Sequence, residues 1–474
     1  MRKGTKIFLT SSVVAQASAL VRYVILARLL GPQELGLAAM LILTAQFFDT
    51  ISDTGSDRFI VQDPDGASPK VLGLVHLVLA GRGMLIALAL VLTSGLAATI
   101  YKSPELQPSL WALALAPLIA GFSHLDVRSA QREEDFRPES IATIIAELVS
   151  SIGTAVAAFV TRDHTAIIYG LVLRAATWVA VSHLAARTPY RWAYSRENAT
   201  RFSHFAAPLF LNGLLLYFGS QGDRLIVGSG LGPEALGHYS AILLLAYYPA
   251  SMVSRFVGGL HMPLLASARA DPARFDREEQ KLAGRTVLIS LAMVAGFSLF
   301  GPIFTPLLYG KDFSQPLQIF AMLAILQAGR LLRVWPTTAA VSLGKSSIVL
   351  LHNLARISAL PVALLLNHYV PSLESIICGF IFGEIAAVLV ALALLSRDAP
   401  ISIKRDLMRV GLCGAGCLVV LGWSWALQRH WLALTPGLAL ATVATAFAIW
   451  RHEARVIGDS IRLLKAKTSA LYRR

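Results

Sequence analysis

The segment Leu30-Gly31-Pro32-Gln33-Glu34-Leu35-Gly36 returns 201 residues later as Leu231-Gly232-Pro233-Glu234-Ala235-Leu236-Gly237, identical at five of seven positions. Each copy stands between two long apolar runs. The Gly-Pro pair ends one helix, because proline offers no N–H to the preceding turn, and the second glycine predicts that the next helix begins close against the first. Six apolar runs lie between the copies. An even number of crossings returns a chain to the same face of a membrane, so the repeats are parallel and related by an axis along the membrane normal.

Composition requires the membrane independently. The 474 residues are 55% hydrophobic and 15% charged, against roughly 45–50% and 25% in ordinary soluble domains. A net charge of +14 would suit a nucleic-acid binder if it were gathered on a polar domain, but here the arginines are interleaved with apolar runs. Nucleic acid is therefore not an expected partner. Three cysteines cannot form a disulfide framework, no Cys/His cluster has zinc spacing, and Cys413 and Cys417 read as small helix-packing residues.

About fourteen runs are long enough to cross a hydrocarbon layer as helices, from 7–27 and 35–53 at one end of the chain to 409–428 and 432–450 at the other. Ala17-Ser18-Ala19 has the form of a signal-peptide cleavage site, but apolarity continues past it to Leu30, so the segment reads as a retained helix. Loop cations test the assignment, because the spans were drawn from apolarity alone. With Arg2, Lys3 and Lys6 in the cytoplasm, 29 of the 42 cations fall on that side, five on the other and eight within spans. Both termini are expected in the cytoplasm.

The paired Leu-Gly-Pro-x-x-Leu-Gly turns, Asp223-Arg224-Leu225-Ile226-Val227-Gly228, Leu308-Tyr309-Gly310 and Leu343-Gly344-Lys345 occur in an order and spacing that resembles the polysaccharide transport family. These are the oligosaccharide and O-antigen flippases of the multidrug/oligosaccharidyl-lipid/polysaccharide exporter superfamily, and the resemblance covers most of residues 1–400. It implies an all-α polytopic protein of the bacterial inner membrane: a six-helix lobe over 1–200, a second over 201–400, a central cavity between them, and two further helices with a basic cytoplasmic tail over 401–474. It implies alternating access for a polyprenyl-pyrophosphate-linked oligosaccharide in cell-surface polysaccharide biosynthesis, with membrane lipids around it. A coupling proton or Na+, and contact with polysaccharide polymerase machinery, stay open.

An ion inside a span costs at least about 2.5–3.5 kcal/mol, so such groups face a bundle interior or a wet cavity. The eight cations within spans are all arginines: Arg22, Arg82, Arg174, Arg224, Arg255, Arg330, Arg333 and Arg356. Arg82, Arg174, Arg330, Arg333 and Arg356 lie too deep for full snorkelling and are the expected substrate-binding set of a cationic cavity. Guanidinium stays charged at any depth and offers paired donors to phosphate oxygens. Pairing with Glu147 or Glu384 is the structural alternative. Glu147 shares a polar stripe with Ser140, Thr143, Ser151 and Thr154, and could carry a coupling ion or hold an arginine. Arg22 and Asp223 occupy equivalent places in the two repeats, and their opposite charges make them a candidate gate.

No nucleotide-binding, zinc-protease, serine-hydrolase or EF-hand motif is present, and the longest loops, about 25 residues, leave no room for a catalytic domain. Neither a cofactor nor an enzymatic reaction is expected. Two rival classes remain: a multidrug or cation antiporter of the same superfamily, expected to line its cavity with acids, and an integral-membrane polysaccharide polymerase or glycosyltransferase, expected to carry carboxylates in a substantial outer loop.

Overall fold

The computed structural model describes residues 3–430 and 436–453, and every regular element among them is a helix. Most of the basic tail lies outside the described residues, and the last expected span, 432–450, begins in undescribed residues and is helical from 436. Ten helices among the described residues are long and apolar enough to cross a membrane, with Thr10–Gln62 counted once.

The chain forms two compact units, Met1–Ala241 with Leu307–Phe313, and Ile242–Pro306 with Ser314–Arg474. The first contains α1 (Lys3–Ile51), α2 (Ser56–Gln62), α3 (Pro69–Ile100), α4 (Leu106–Leu113), α5 (Leu115–Ala120), α6 (Asp126–Arg132), α7 (Arg137–Thr161), α8 (Ala166–Leu184), α9 (Arg196–Leu231) and the start of α10 (Pro233–Ser267). The second holds the rest of α10, most of α11 (Pro272–Tyr309), and then α12 (Leu317–Leu332), α13 (Val334–Ser342), α14 (Ser346–Ile357), α15 (Ala359–Tyr369), α16 (Leu373–Asp398) and α17 (Ile403–Gln428).

Local chemistry explains where helices start and break. Ser68 accepts a hydrogen bond from the Val71 N–H while Pro69 fills the first helical position of α3. Three expected spans are each split in two, at Ala114, Arg333 and Ser358. In each, a proline (Pro117, Pro336, Pro361) stands four residues beyond the last residue of the preceding helix, where its missing N–H removes the bond that would have continued the ladder.

Both copies of the repeat take one unusual backbone conformation: φ 77°, ψ 179° at Gly31 and φ 89°, ψ −178° at Gly232. That region is essentially open only to glycine. The second glycines do something other than expected. A Cβ at Gly36 would lie 1.7 Å from the Pro233 carbonyl oxygen, and one at Gly237 would lie 1.9 Å from that of Pro32. They bring each turn against the other copy rather than against its own preceding helix. Arg28 adds a hydrogen bond of 2.7 Å to the Leu308 carbonyl at the same end.

The first unit sorts its connections as the loop cations require. One end gathers the two Gly-Pro turns with Tyr101 packed by Gly228 and with Glu34 accepting from His164. The other gathers residues 57–65 with Arg128, Arg132 and Arg201, and Asp126 with Arg187 and Thr188. Large apolar side chains such as Leu85 and Leu92 on α3 and Phe159 and Val160 on α7 lie exposed, a surface that water would not tolerate and lipid covers.

Candidate functional site

In each unit a buried carboxylate on an expected membrane span draws guanidinium groups to it. In the first, Glu147 on α7 is 4% exposed. Arg22 on α1 donates to its Oε2 at 2.9 Å and to Ser150 Oγ at 2.8 Å, and Arg174 on α8 donates to its Oε1 at 2.6 Å. Helices α7 and α8 approach this closely because Gly170 carries no side chain: a Cβ there would meet Thr154 Oγ1 at 1.8 Å. Of the polar stripe, Ser140 and Thr154 are fully buried with Glu147, while Thr143 and Ser151 are half-buried; Ser150, outside the stripe, is fully buried beside them.

In the second unit Glu384 on α16 is encircled. Arg333 Nε donates to Oε2 at 3.0 Å, and Arg356 Nε and Arg330 Nε lie 3.2 and 3.6 Å from Oε1. Counted as ionised groups these four residues carry +2. Arg333 reaches the acid from the break between α12 and α13, so Pro336 helps to place it. The order of acid and base is exchanged between the units. In the pair α7–α8 the carboxylate is on the earlier helix, and in the pair α14–α16 it is on the later one.

The five expected cavity arginines thus separate by role. Arg174 has a side chain 52% exposed and lines a cavity of about 550 Å³ within the first unit, together with Glu147, Asp49, Arg128, Glu139 and Trp178. Arg330, Arg333 and Arg356 are only 15–20% exposed and are held by Glu384. Arg82 caps a helix: it donates to the carbonyls of Asp49 and Ser52 at 2.7 and 2.8 Å, which closes the last turn of α1, and to Asp49 Oδ1 at 2.6 Å. The gate pair goes to separate partners, Arg22 to Glu147 and Ser150, and Asp223 to the Tyr239 hydroxyl at 2.9 Å.

Two further groups are assembled only by the fold. Arg128, a loop cation in the sequence, pairs with Glu139 and with Asp57, and its guanidinium carbon sits 5.8 Å from the centre of the Trp178 ring. In the second unit Glu279, Asp406, Arg409 and Glu453 are buried together. Arg405 reaches Asp276 and Glu279 at 2.8 and 3.3 Å, Arg409 reaches Glu453 at 2.7 Å, and Trp335 donates to Glu279. The sequence signals for the first group are the four-residue spacings of Arg174 and Trp178 and of Glu139, Thr143 and Glu147.

A profile of the family described as polysaccharide biosynthesis protein matches residues 25–318. The chain belongs to this family. Among curated relatives of this polysaccharide biosynthesis family member, the lipopolysaccharide biosynthesis protein WzxC of Escherichia coli (strain K12) is 21% identical over 325 residues, 68% of this chain and 66% of that protein. The succinoglycan biosynthesis transport protein ExoT of Rhizobium meliloti (strain 1021) is 21% identical over 304 residues, 64% and 61%. The chain spans about two thirds of the length of these relatives. Among solved structures, the lipid II flippase MurJ in an inward closed conformation superposes with a TM-score of 0.64 at 13% identity, covering 94% of this chain and 98% of that one. An inward-facing multidrug resistance MATE family transporter of the MOP superfamily gives 0.63 at 15% identity, over 83% and 96%. At such identities the likeness is one of fold.

Proposed function

We propose that this protein is a flippase that carries a polyprenyl-pyrophosphate-linked oligosaccharide across the bacterial inner membrane by alternating access, for cell-surface polysaccharide biosynthesis. It transports rather than catalyses. The observation that carries the reading is Arg174, a half-exposed guanidinium on the wall of a 550 Å³ cavity at membrane depth. A pyrophosphate entering hydrocarbon unaccompanied would face a desolvation cost of tens of kcal/mol, and a wet cleft with a fixed cation removes most of it.

Glu147 serves this cycle as a parking place. With no anion present, Arg174 rests on it; phosphate oxygens compete for the guanidinium and Arg22 keeps the carboxylate compensated. Neutralisation of Glu147 by a coupling proton, or its capture of Na+, would release Arg174 in the same way. Arg330, Arg333 and Arg356, with their net excess of positive charge over Glu384, form the second cationic centre, and Arg82 supports the cavity by holding Asp49 on its wall. Setting the basic loops in the cytoplasm puts both termini there and places the Gly36–Pro233 contact at the periplasmic end, where it closes the path. Arg22 and Asp223 lie behind that closure and adjust to its opening. An outward dianion gains from an inside-negative potential, at about 2.3 kcal/mol per charge per 100 mV.

Deleting the gene and locating the lipid-linked intermediate is the test. Undelivered units on the cytoplasmic leaflet are expected. Delivered but unpolymerised units would indicate a polymerase and overturn the reading, and unchanged polymer with altered cation or drug export would indicate an antiporter.

A further inference from the structure

Arg174 and Trp178 are one turn apart on α8, and both line the cavity of the first unit. Opposite them Glu139, Thr143 and Glu147 follow at intervals of four, so one face of α7 presents a polar group on three successive turns. Four residues of helix advance about 6 Å, which gives the cavity two levels separated by roughly the length of one pyranose ring. On the first level Arg174 meets Glu147 at 2.6 Å. On the second, Glu139 accepts from Arg128 and Gln131, Asp57 holds Arg128 from its other side at 3.0 Å, and the fixed guanidinium stands 5.8 Å from the Trp178 ring centre.

This second level asks for a particular ligand chemistry. A lipid chain would gain nothing from the ion pairs, and a bare anion would gain nothing from an indole and would be repelled by Glu139. A sugar ring uses both, since its C–H faces stack on the electron-rich face of an aromatic ring while its hydroxyls donate to carboxylate and threonine oxygens. The volume suits a diphosphate with one or two sugar rings. Core packing does not account for the tryptophan, which is partly exposed on the cavity wall.

We infer that Trp178 is the platform for the sugar next to the pyrophosphate. Glu139 and Thr143 take its hydroxyls, Arg128 fixes Glu139 and the ring, and Arg174 one turn away takes the phosphate. The inference rests on the flippase reading and adds a carbohydrate subsite to it.

The full chain in lipid nanodiscs would be titrated with undecaprenyl pyrophosphate and with the same lipid carrying a single glucose, galactose or N-acetylglucosamine. The wild type should bind at least one glycosylated lipid about three- to tenfold more tightly than the bare one, the range that aromatic stacking supplies. Trp178→Ala should abolish that gain and leave bare-lipid affinity within about twofold, whereas Trp178→Tyr, which preserves the packed ring, should keep most of it. Arg174→Ala should weaken all four probes. Equal loss on bare and glycosylated lipid in Trp178→Ala and Trp178→Tyr, or no preference for any sugar in the wild type, overturns the inference and leaves the flippase standing. Failure of the wild type to bind any of the four overturns the flippase reading itself.

Discussion

Gly36 and Pro233 lie in mutual contact across 197 residues of chain, so close that a methyl group on Gly36 would sit 1.7 Å from the proline carbonyl oxygen, and Gly237 stands to Pro32 in the same relation at 1.9 Å. The obstruction is backbone, which cannot swing aside as a side-chain tip could. The reciprocity is what an internal two-fold relation between the copies produces. A sequence motif repeated for the sake of its turn thereby becomes a symmetric seam.

Gly36→Ala and Gly237→Ala are each expected to force this seam apart. Overpacking of a tight contact costs about 1–3 kcal/mol, so purified variants should melt several degrees lower, and the double variant should fall by less than the sum because one displacement relieves both clashes. Ser at an exposed apolar position such as Leu92 should leave melting nearly unchanged, and an equal fall in that control would remove the argument.

Glu384→Gln should be far more damaging than its chemistry suggests. It leaves Arg330, Arg333 and Arg356 facing one another at a buried site, and breaking a buried ion cluster costs about 3–5 kcal/mol. Adding Arg333→Gln should recover part of the lost stability. Thermal unfolding of the single and double variants in the same detergent decides the matter, and strict additivity would contradict the cluster.

Arg82 and Arg174 should part company. Arg174→Ala is expected to lower transport by tenfold or more while the melting temperature holds, because its side chain is half exposed and Arg22 still compensates Glu147. Arg174→Lys separates charge from geometry: retention means that a point charge suffices, and loss means that the fork is needed. In Arg82→Ala, transport loss should follow loss of folded protein, since two carbonyls at the end of α1 lose their donor.

Arg409→Ala should destabilise the packing of α17 without touching the cavity. It removes the guanidinium 2.7 Å from Glu453, and both groups are almost wholly buried, so about 3–5 kcal/mol is expected. A variant that melts like the wild type would show that the pair is not buried in solution.

Asp126 predicts a pH effect outside the spans. Burial raises its pKa, but hydrogen bonds from the Thr188 hydroxyl and backbone and from the Arg187 N–H outweigh it and hold the carboxyl below the ordinary range. Its stabilising contribution is therefore complete above the unfolded value, near 4, and fades as pH falls through the lower native one. Asp126→Asn should flatten the acid side of the stability profile. Protease sensitivity of the segment after α8, followed against pH, provides the measurement, and an unchanged profile would count against the tie.

The chain's own order of residues already established the membrane class, the helical secondary structure, the parallel repeat and the presence of cations at depth. Those properties follow from local causes: apolarity over twenty residues, a glycine that alone accepts its backbone angles, a proline without an N–H, and the cost of placing charge in hydrocarbon. Partnership was beyond it. Nothing near Arg82 in sequence shows that it caps α1, nothing near Glu384 shows that three arginines from two helices and a break between helices converge on it, and the second glycines of the repeat look local because their partners lie about two hundred residues away. Such choices depend on which helix faces which at what register, a property of packing among all the segments at once. Only the folded arrangement decided that Arg174, though paired with Glu147, stays half exposed on a cavity wall while Arg330, Arg333 and Arg356 are enclosed around Glu384, and that Trp178 stands beside it.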